Sequence, residues 1–152
     1  MRAFHGSSLN IIKHTDNFTL TPSTNGSFGT GIYLADQNAA HEYAGECEGG
    51  LVFEFEVDTS DFARIEVGFE VAEKYDLDTA ALPLIMAMFS IDEAQAAKWF
   101  KAHTTDGFLL GGEIQQCAIE LGYKGLILDY GDCFELLAFD GDALTKIGEE
   151  AV

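Results

Sequence analysis

Residues 31–45 read Gly-Ile-Tyr-Leu-Ala-Asp-Gln-Asn-Ala-Ala-His-Glu-Tyr-Ala-Gly, and this stretch decides the fold class because it joins a strand directly to a helix. Its first five residues form a short apolar run that begins with glycine, which is typical of a strand. Asp36 is a favoured helix N-cap, and the alanines and the tyrosine after it recur at helical spacing. Gly45 provides a stop signal for that helix.

The N-terminal side predicts one more strand and a long loop. Residues 2–5 read as a short opening strand that ends at Gly6-Ser7-Ser8. Residues 10–30 are rich in Thr, Ser, Asn and Gly, a composition that marks a surface loop. Long loops in compact domains are often lids or binding loops, so residues 10–30 are a candidate binding loop.

Residues 51–58 alternate apolar and polar side chains, which predicts a half-buried strand. Glu54 and Glu56 within it resemble the Glu-x-Glu pair of arginine-modifying transferases. Period-two geometry places both glutamates on the face opposite Phe53 and Phe55. A solvated outer strand face explains that arrangement, and we prefer this structural interpretation to a catalytic one.

The region after residue 70 predicts helices. Residues 70–103 look helical, with a boundary at Ser90 or Ile91. Residues 114–121 have the spacing of an amphipathic helix, and Gly122 ends it.

The last part of the chain predicts a hairpin, in which residues 125–130 and 133–139 form two strands joined by a tight turn at Gly131-Asp132. Strands and helices do not alternate evenly along the sequence. We therefore predict a single α+β domain over residues 1–152 rather than a doubly wound parallel sheet.

The composition limits the classes of partner. The chain carries 26 acidic and 8 basic side chains, for a formal net charge of -18. Such a charge repels nucleic acid and anionic membranes and favours a protein partner with a basic surface, although it also serves solubility alone. No signal peptide and no membrane-spanning run is recognisable, so we expect a cytoplasmic protein, located in the host cytoplasm if it is phage-encoded. We also expect a monomer.

Metal and nucleotide motifs are absent from the sequence. The three cysteines contain no Cys-x-x-Cys pair, and the four histidines have no His-Glu-x-x-His spacing, so we predict no metal site. Residues 26–31, Gly-Ser-Phe-Gly-Thr-Gly, carry their glycines in the reverse of the order found in a Rossmann fingerprint, and they precede a strand instead of following one. We therefore do not interpret them as a dinucleotide-binding motif.

Three separate pieces carry a resemblance to a known superfamily. They are Phe4-His5-Gly6-Ser7, then Gly29 to Ala44, and finally Leu121 to Ile127 with Phe134 to Asp140. In this order they resemble the ADP-ribosyltransferase superfamily, on the diphtheria-toxin and PARP-like branch with a His-Tyr-Glu signature. The resemblance implies a mixed or antiparallel split sheet, with a helical insert at about residues 60–110 where the likeness is weak. Lys124 stands where the family more commonly has an acidic residue.

The resemblance implies NAD as co-substrate and assigns candidate roles. Glu135 corresponds to the catalytic glutamate, because a carboxylate beside the ribose stabilises an oxocarbenium-like transition state. Asp129 and Asp132 lie close before it and remain alternatives.

The candidate NAD-binding residues come from the first two pieces. A neutral imidazole at His5 suits a ribose hydroxyl, and Gly6 and Ser7 allow backbone approach to the nicotinamide amide. Tyr33 and Tyr43 are candidates to stack on the nicotinamide ring.

The layout also resembles small, acidic, phage-encoded anti-CRISPR ADP-ribosyltransferases. We therefore predict an enzyme that transfers ADP-ribose from NAD to a protein target, with a component of a CRISPR surveillance complex as the candidate target. One alternative is a non-catalytic inhibitor whose acidic surface mimics DNA. Another is a binding module with the same fold and an inactive site.

Overall fold

A computed structural model describes residues 1–7, 28–45, 50–67, 81–105, 108–109 and 111–152 of the chain. It contains strands and helices in the order expected of an α+β domain. The strands are β1 (Arg2–Ser7), β2 (Ile32–Ala35), β3 (Leu51–Val57), β4 (Phe62–Glu66), β5 (Thr104–Thr105), β6 (Phe108–Leu109), β7 (Gly125–Asp129), β8 (Phe134–Ala138) and β9 (Leu144–Ala151). The helices are α1 (Gln37–Gly45), α2 (Ala81–Phe89), α3 (Glu93–His103) and α4 (Gly111–Glu120).

A mixed seven-stranded sheet in the order β4-β7-β8-β2-β1-β3-β9 organises the molecule, and β5 and β6 form a separate small hairpin. All neighbours in the large sheet are antiparallel except β4 and β7, which run parallel. Strands that are consecutive in the chain, such as β3 and β4, are therefore not always neighbours in the sheet. The predicted α+β class with a mixed sheet is confirmed.

The sheet is nearly divided between β1 and β2. These strands pair at one position, Phe4 with Ala35, whereas β1 pairs with β3 along its whole length. We call the interruption of pairing beyond this position the β1–β2 split. One half of the sheet is then β4-β7-β8-β2, and the other is β1-β3-β9.

Each half has helices on one face. Helices α2, α3 and α4 pack on the β4-β7-β8 side around buried residues such as Leu84, Phe100 and Leu126. Helix α1 covers β1 and β3 through Ala40 and Ala44. We call this side of the sheet the helical face.

On the opposite side, which we call the strand face, the buried core residues of the described chain all belong to strands. Its buried members come from both halves of the sheet: Ala3, Ile32, Leu34, Phe53, Phe55, Val57, Phe62, Ile127, Leu136 and Ala138. One continuous apolar layer therefore spans both halves of the sheet, which supports the sheet despite the split.

The local signals in the sequence correspond to real helix and strand ends. The Asp36 carboxylate accepts hydrogen bonds from the Asn38 and Ala39 amides, as a helix N-cap does. Gly122 and Gly131 have positive φ at the predicted helix stop and hairpin turn. The predicted boundary at Ser90 or Ile91 is confirmed, because it separates α2 from α3.

Two regions differ from the prediction. The expected helical insert at about 60–110 begins with β4, which pairs in parallel with β7 and belongs to the main sheet. Strand β9 was not predicted, because Ile147 forms a bulge between the pairs Lys146–Phe55 and Gly148–Glu54 and interrupts the alternation. Residues 10–27 of the candidate binding loop and the expected helical residues 70–80 lie outside the described residues.

Gly6 lies directly beneath helix α1. A Cβ atom at this position would be 2.2 Å from the Ala40 carbonyl oxygen and 3.1 Å from the Ala44 nitrogen. Both are backbone atoms, which cannot move away without shifting the helix. The close packing of α1 on β1 therefore requires glycine here.

We expect Gly6→Ala to lower the free energy of unfolding by about 1–3 kcal/mol, the usual effect of overpacking. Urea denaturation measures the change. Gly112→Ala is the matched control, because this helical glycine has open space around its Cβ position. That substitution should stabilise the protein by about 0.5–1 kcal/mol, as alanine does within a helix. Equal and small effects at both positions would contradict the packing argument.

Candidate functional site

The β1–β2 split interrupts a backbone ladder that an ordinary sheet would continue. β2 is paired with β8 from Ile32 to Ala35, and β1 is paired with β3 from Arg2 to Ser7. Between them, His5 to Ser7 and Ile32 to Leu34 are not joined by a backbone ladder. The split is thus bordered by the residues that the sequence singled out on these two strands.

The imidazole of His5 bridges the split. Its Nδ1 lies 2.8 Å from the carbonyl oxygen of Tyr33 on β2. A carbonyl oxygen only accepts hydrogen bonds, so Nδ1 carries the proton and Nε2 of the neutral ring is an acceptor. Burial lowers the pKa of His5, and the hydrogen bond to Tyr33 offsets part of that effect. The ring is therefore neutral at pH 7.

Gly6 and Ser7 follow His5 at the same edge. The Ser7 side chain is 2% exposed and is the buried polar residue of the described core. Gly6 is covered by α1 on the helical face. The structure thus gives Gly6 a packing function that does not require a ligand.

Tyr33 holds the segment that leads into β2. Its hydroxyl donates to the Gly29 carbonyl at 2.8 Å and accepts from the Phe28 amide at 3.1 Å. The ring packs against the helical-face core and is half-buried. Burial raises the pKa of Tyr33, the hydrogen bond from Phe28 opposes that rise, and the negative charge of Glu135 adds to it.

Gln115, on α4, is a residue of this region that the sequence analysis missed. Its Oε1 accepts from the Thr30 amide at 2.9 Å, and its Nε2 donates to the Thr30 carbonyl at 2.5 Å. The side chain also fills the space where a Cβ on Gly29 would lie, and Gly29 has a φ of +118°. The amide thus fastens residues 29–30 to the helical layer beside Tyr33.

Glu135 lies one strand beyond Tyr33. It pairs with Ala35 on β2 and Leu128 on β7, while Tyr33 pairs with Leu137 two residues further along β8. Glu135 and Tyr33 therefore project from the same face, the helical one. The Glu135 side chain is exposed and accepts a hydrogen bond from the Tyr130 hydroxyl at 3.0 Å.

His5 belongs to the other face. It pairs with Phe53, which is buried in the strand-face core, so the alternation of β1 directs His5 away from the side of Tyr33 and Glu135. The structure brings the three residues onto neighbouring strands β1, β2 and β8. His5 and Tyr33 lie on the two strands that border the split and project from opposite faces, whereas Glu135 lies one strand away on β8, on the face of Tyr33 and level with the paired position Ala35.

The two alternative carboxylates are placed differently from Glu135. Asp129 lies opposite Phe134 and so on the strand face, where its Oδ2 is 2.5 Å from Arg64 and its Oδ1 accepts from the Gly131 amide. The Arg64 hydrogen bond, followed by that from Gly131, lowers the pKa of Asp129. Asp132 is exposed in the β7–β8 turn.

Tyr43 points into solvent from α1, with 66% of its surface exposed. Its helix contacts the sheet through Ala40 and Ala44 instead. Of the two tyrosines proposed for the nicotinamide ring, the structure therefore places Tyr33 at the split and Tyr43 on the outer surface of α1.

The Glu-x-Glu pair on β3 forms ion pairs, as expected of a surface strand. Glu54 contacts Arg2 at 3.3 Å, and Glu56 contacts the N-terminal ammonium group at 2.8 Å. Among the described residues, no group of three or more His, Cys, Asp or Glu side chains is arranged to hold a metal ion. In the same ranges, no helix combines the length and apolar character needed to cross a membrane.

We expect Tyr33→Phe to lower the free energy of unfolding by about 1–3 kcal/mol, because the Phe28 amide and the Gly29 carbonyl both lose a partner near the core. Urea denaturation followed by circular dichroism measures the loss. Tyr43→Phe removes an exposed hydroxyl and should change stability by less than about 0.5 kcal/mol. A loss at Tyr33 no larger than that at Tyr43 would show that the hydroxyl does not hold this segment.

The lowered pKa of His5 predicts a pH-dependent stability. Below the ordinary pKa of 6.5 the unfolded chain binds a proton that the folded protein resists, so the contribution of His5 is present above pH 6.5 and is lost as the pH falls. The urea concentration at the unfolding midpoint should therefore decrease more between pH 7.5 and pH 5.5 in the wild type than in His5→Asn. Equal decreases in the two proteins would refute a lowered pKa for His5. The comparison between the two proteins cancels the contributions of the carboxylates that both contain.

Comparisons with known proteins do not identify a family. No protein-family model matches the sequence, and no curated protein matches it. One solved structure, described as "Crystal structure of an anti-CRISPR protein", is similar with a TM-score of 0.41 and 19% identity, over 97% of this chain and 95% of that chain. A likeness at this TM-score supports no conclusion about function.

Proposed function

We propose that this protein binds NAD at the β1–β2 split and transfers its ADP-ribose unit to a protein. The observation that carries the proposal is the split itself, bridged by a neutral imidazole and flanked by an aromatic ring and an exposed carboxylate on the next two strands. Ordinary sheet packing does not require this combination of groups at a break in the ladder. It agrees with the His-Tyr-Glu pattern that the sequence resembles.

His5 supplies a hydrogen-bond acceptor at the split. With Nδ1–H committed to the Tyr33 carbonyl, the tautomer is fixed and Nε2 presents a lone pair. A ribose hydroxyl is a suitable donor to such an atom. Burial lowers the pKa of His5, which favours the neutral ring and therefore this acceptor at pH 7.

Tyr33 supplies a fixed aromatic surface. Both hydrogen-bonding functions of its hydroxyl are satisfied by residues 28 and 29, which restricts rotation of the ring. A ring held in this way can stack on nicotinamide with little loss of conformational entropy on binding. The Gln115 amide supports the same segment from the helical layer.

Glu135 is the catalytic carboxylate in this proposal. The bond between nicotinamide and C1′ of the ribose breaks, nicotinamide leaves with the bonding electrons as a neutral ring, and a target nucleophile bonds to C1′. Positive charge develops on the ribose in between, as in glycoside cleavage. A carboxylate on the face of Tyr33 stabilises that charge, whereas Asp129 is neutralised by Arg64 on the other face.

The net charge bears on both substrates. At -18 the protein opposes long-range approach of the NAD phosphates, so local hydrogen-bond donors at the split have to hold them. The same charge favours association with a protein that has a basic surface. The resemblance in sequence makes a component of a CRISPR surveillance complex the proposed target, and inactivation of phage defence the proposed outcome.

The net charge also supports a second candidate function, a non-catalytic acidic inhibitor that occupies a DNA-binding surface. This function needs no NAD and no split. Its binding to a basic partner would weaken strongly with salt and would be indifferent to substitutions at Glu135.

We expect Glu135→Gln to lower the rate of NAD consumption at least about 10²-fold, since it removes one stabilising charge from the transition state. Glu42→Gln is the matched control, because it makes the same chemical change at an exposed position on α1. Mass spectrometry detects ADP-ribose on candidate targets, and calorimetry measures NAD binding. Equal activity in the wild type and Glu135→Gln excludes Glu135, and absence of NAD binding by the wild type excludes the enzyme.

A further inference from the structure

We propose that Tyr130 is a positioning residue that orients the Glu135 carboxylate, an inference that rests on the proposed transferase function. The hydroxyl of Tyr130 donates to Oε2 of Glu135 at 3.0 Å. An exposed glutamate otherwise samples several rotamers, because each of its side-chain torsions has competing wells. A carboxylate that stabilises charge in a transition state has to be held in place before the reaction.

The phenol is well placed for this because its own position is fixed. Tyr130 packs against the core of the helical face. Its backbone amide donates to the Cys133 carbonyl at 2.9 Å, which closes the β7–β8 turn. Ring and backbone are thus both restrained.

The turn that carries Tyr130 is restrained from its other side as well. The Gly131 amide donates to Oδ1 of Asp129 at 2.9 Å, and Gly131 takes the positive φ that the turn requires. Asp129 is in turn bound to Arg64 on β4. The salt bridge on the strand face therefore helps to hold the hairpin that presents Tyr130 on the helical face.

The register of the hairpin explains why the two side chains meet. Leu128 pairs with Glu135, and Tyr130 follows Leu128 by two residues, so both project from the face of Glu135. Tyr130 is thus the diagonal neighbour of Glu135, and a phenol is long enough to reach a carboxylate at that separation. Within the described residues, the Tyr130 hydroxyl is the hydrogen-bond partner seen for Glu135, and it engages one of the two carboxylate oxygens.

This arrangement divides the carboxylate between two tasks. Oε2 is held by Tyr130, and Oε1 is left to face the ribose. Tyr130 does not touch the substrate in this arrangement. Its loss should therefore reduce the rate of the chemical step and leave the affinity for NAD unchanged.

The test compares kcat and KM for NAD consumption in the wild type, Tyr130→Phe, Glu135→Gln and the double variant. We expect Tyr130→Phe to lower kcat about 10-fold with KM unchanged, because a displacement of 1 Å can cost about 10²-fold and a looser but still nearby carboxylate should cost less. In the Glu135→Gln background the same substitution should have no further effect. Tyr123→Phe is the control, since Tyr123 also packs on the helical-face core.

Glu135→Asp breaks the same contact from the carboxylate side and keeps the inference testable if Tyr130→Phe folds poorly. It should lower kcat and leave KM for NAD unchanged, and a wild-type kcat in this variant overturns the inference. Wild-type kcat in Tyr130→Phe overturns the inference and leaves the transferase proposal intact, as does a loss that persists at full size in the Glu135→Gln background. A wild type that consumes no NAD overturns the transferase proposal, and the inference falls with it.

Discussion

The hydrogen bond between His5 and the Tyr33 carbonyl, at 2.8 Å across the β1–β2 split, is the interaction on which the rest of the structure depends. Two strands that separate within a sheet leave backbone groups without partners, and each such group costs about 1–3 kcal/mol when buried. A backbone amide at this point would satisfy the carbonyl by closing the ladder. A side-chain imidazole satisfies it at a greater distance, so the strands stay apart. The split is thus compatible with a stable sheet because a histidine replaces a ladder contact.

The two walls of the split are supported separately. β1 is held by its pairing with β3 and by α1, which approaches so closely that Gly6 has no room for a side chain. β2 is held by β8, and the segment before it is fixed by the Tyr33 hydroxyl and the Gln115 amide. Each strand is therefore held in place without help from the other, and the arrangement does not depend on the single pair of Phe4 with Ala35.

The sequence predicted the features that local chemistry determines and missed those that depend on distant strands. Asp36, Gly122 and Gly131 act through their own backbone surroundings, and each is placed as expected. The pairing of β4 with β7 could not be read from the sequence, because neither strand signals its partner. Gln115 was missed for a related reason, since a polar residue on an amphipathic helix has the pattern of a solvated face whether or not it holds a loop.

The same long-range pairing distinguishes carboxylates that the sequence left equivalent. The register of β4 on β7 brings Arg64 to Asp129, and a cation in contact with a carboxylate cancels most of the field that the carboxylate presents to a third group. Tyr130 holds Glu135 with a neutral hydroxyl instead, which fixes its orientation and leaves its charge in place. A developing cation is stabilised by the second arrangement and not by the first. The pleat of the sheet places Asp129 and Glu135 on opposite faces. The charge of Asp129 is used in a salt bridge, whereas the charge of Glu135 remains available to stabilise a cation.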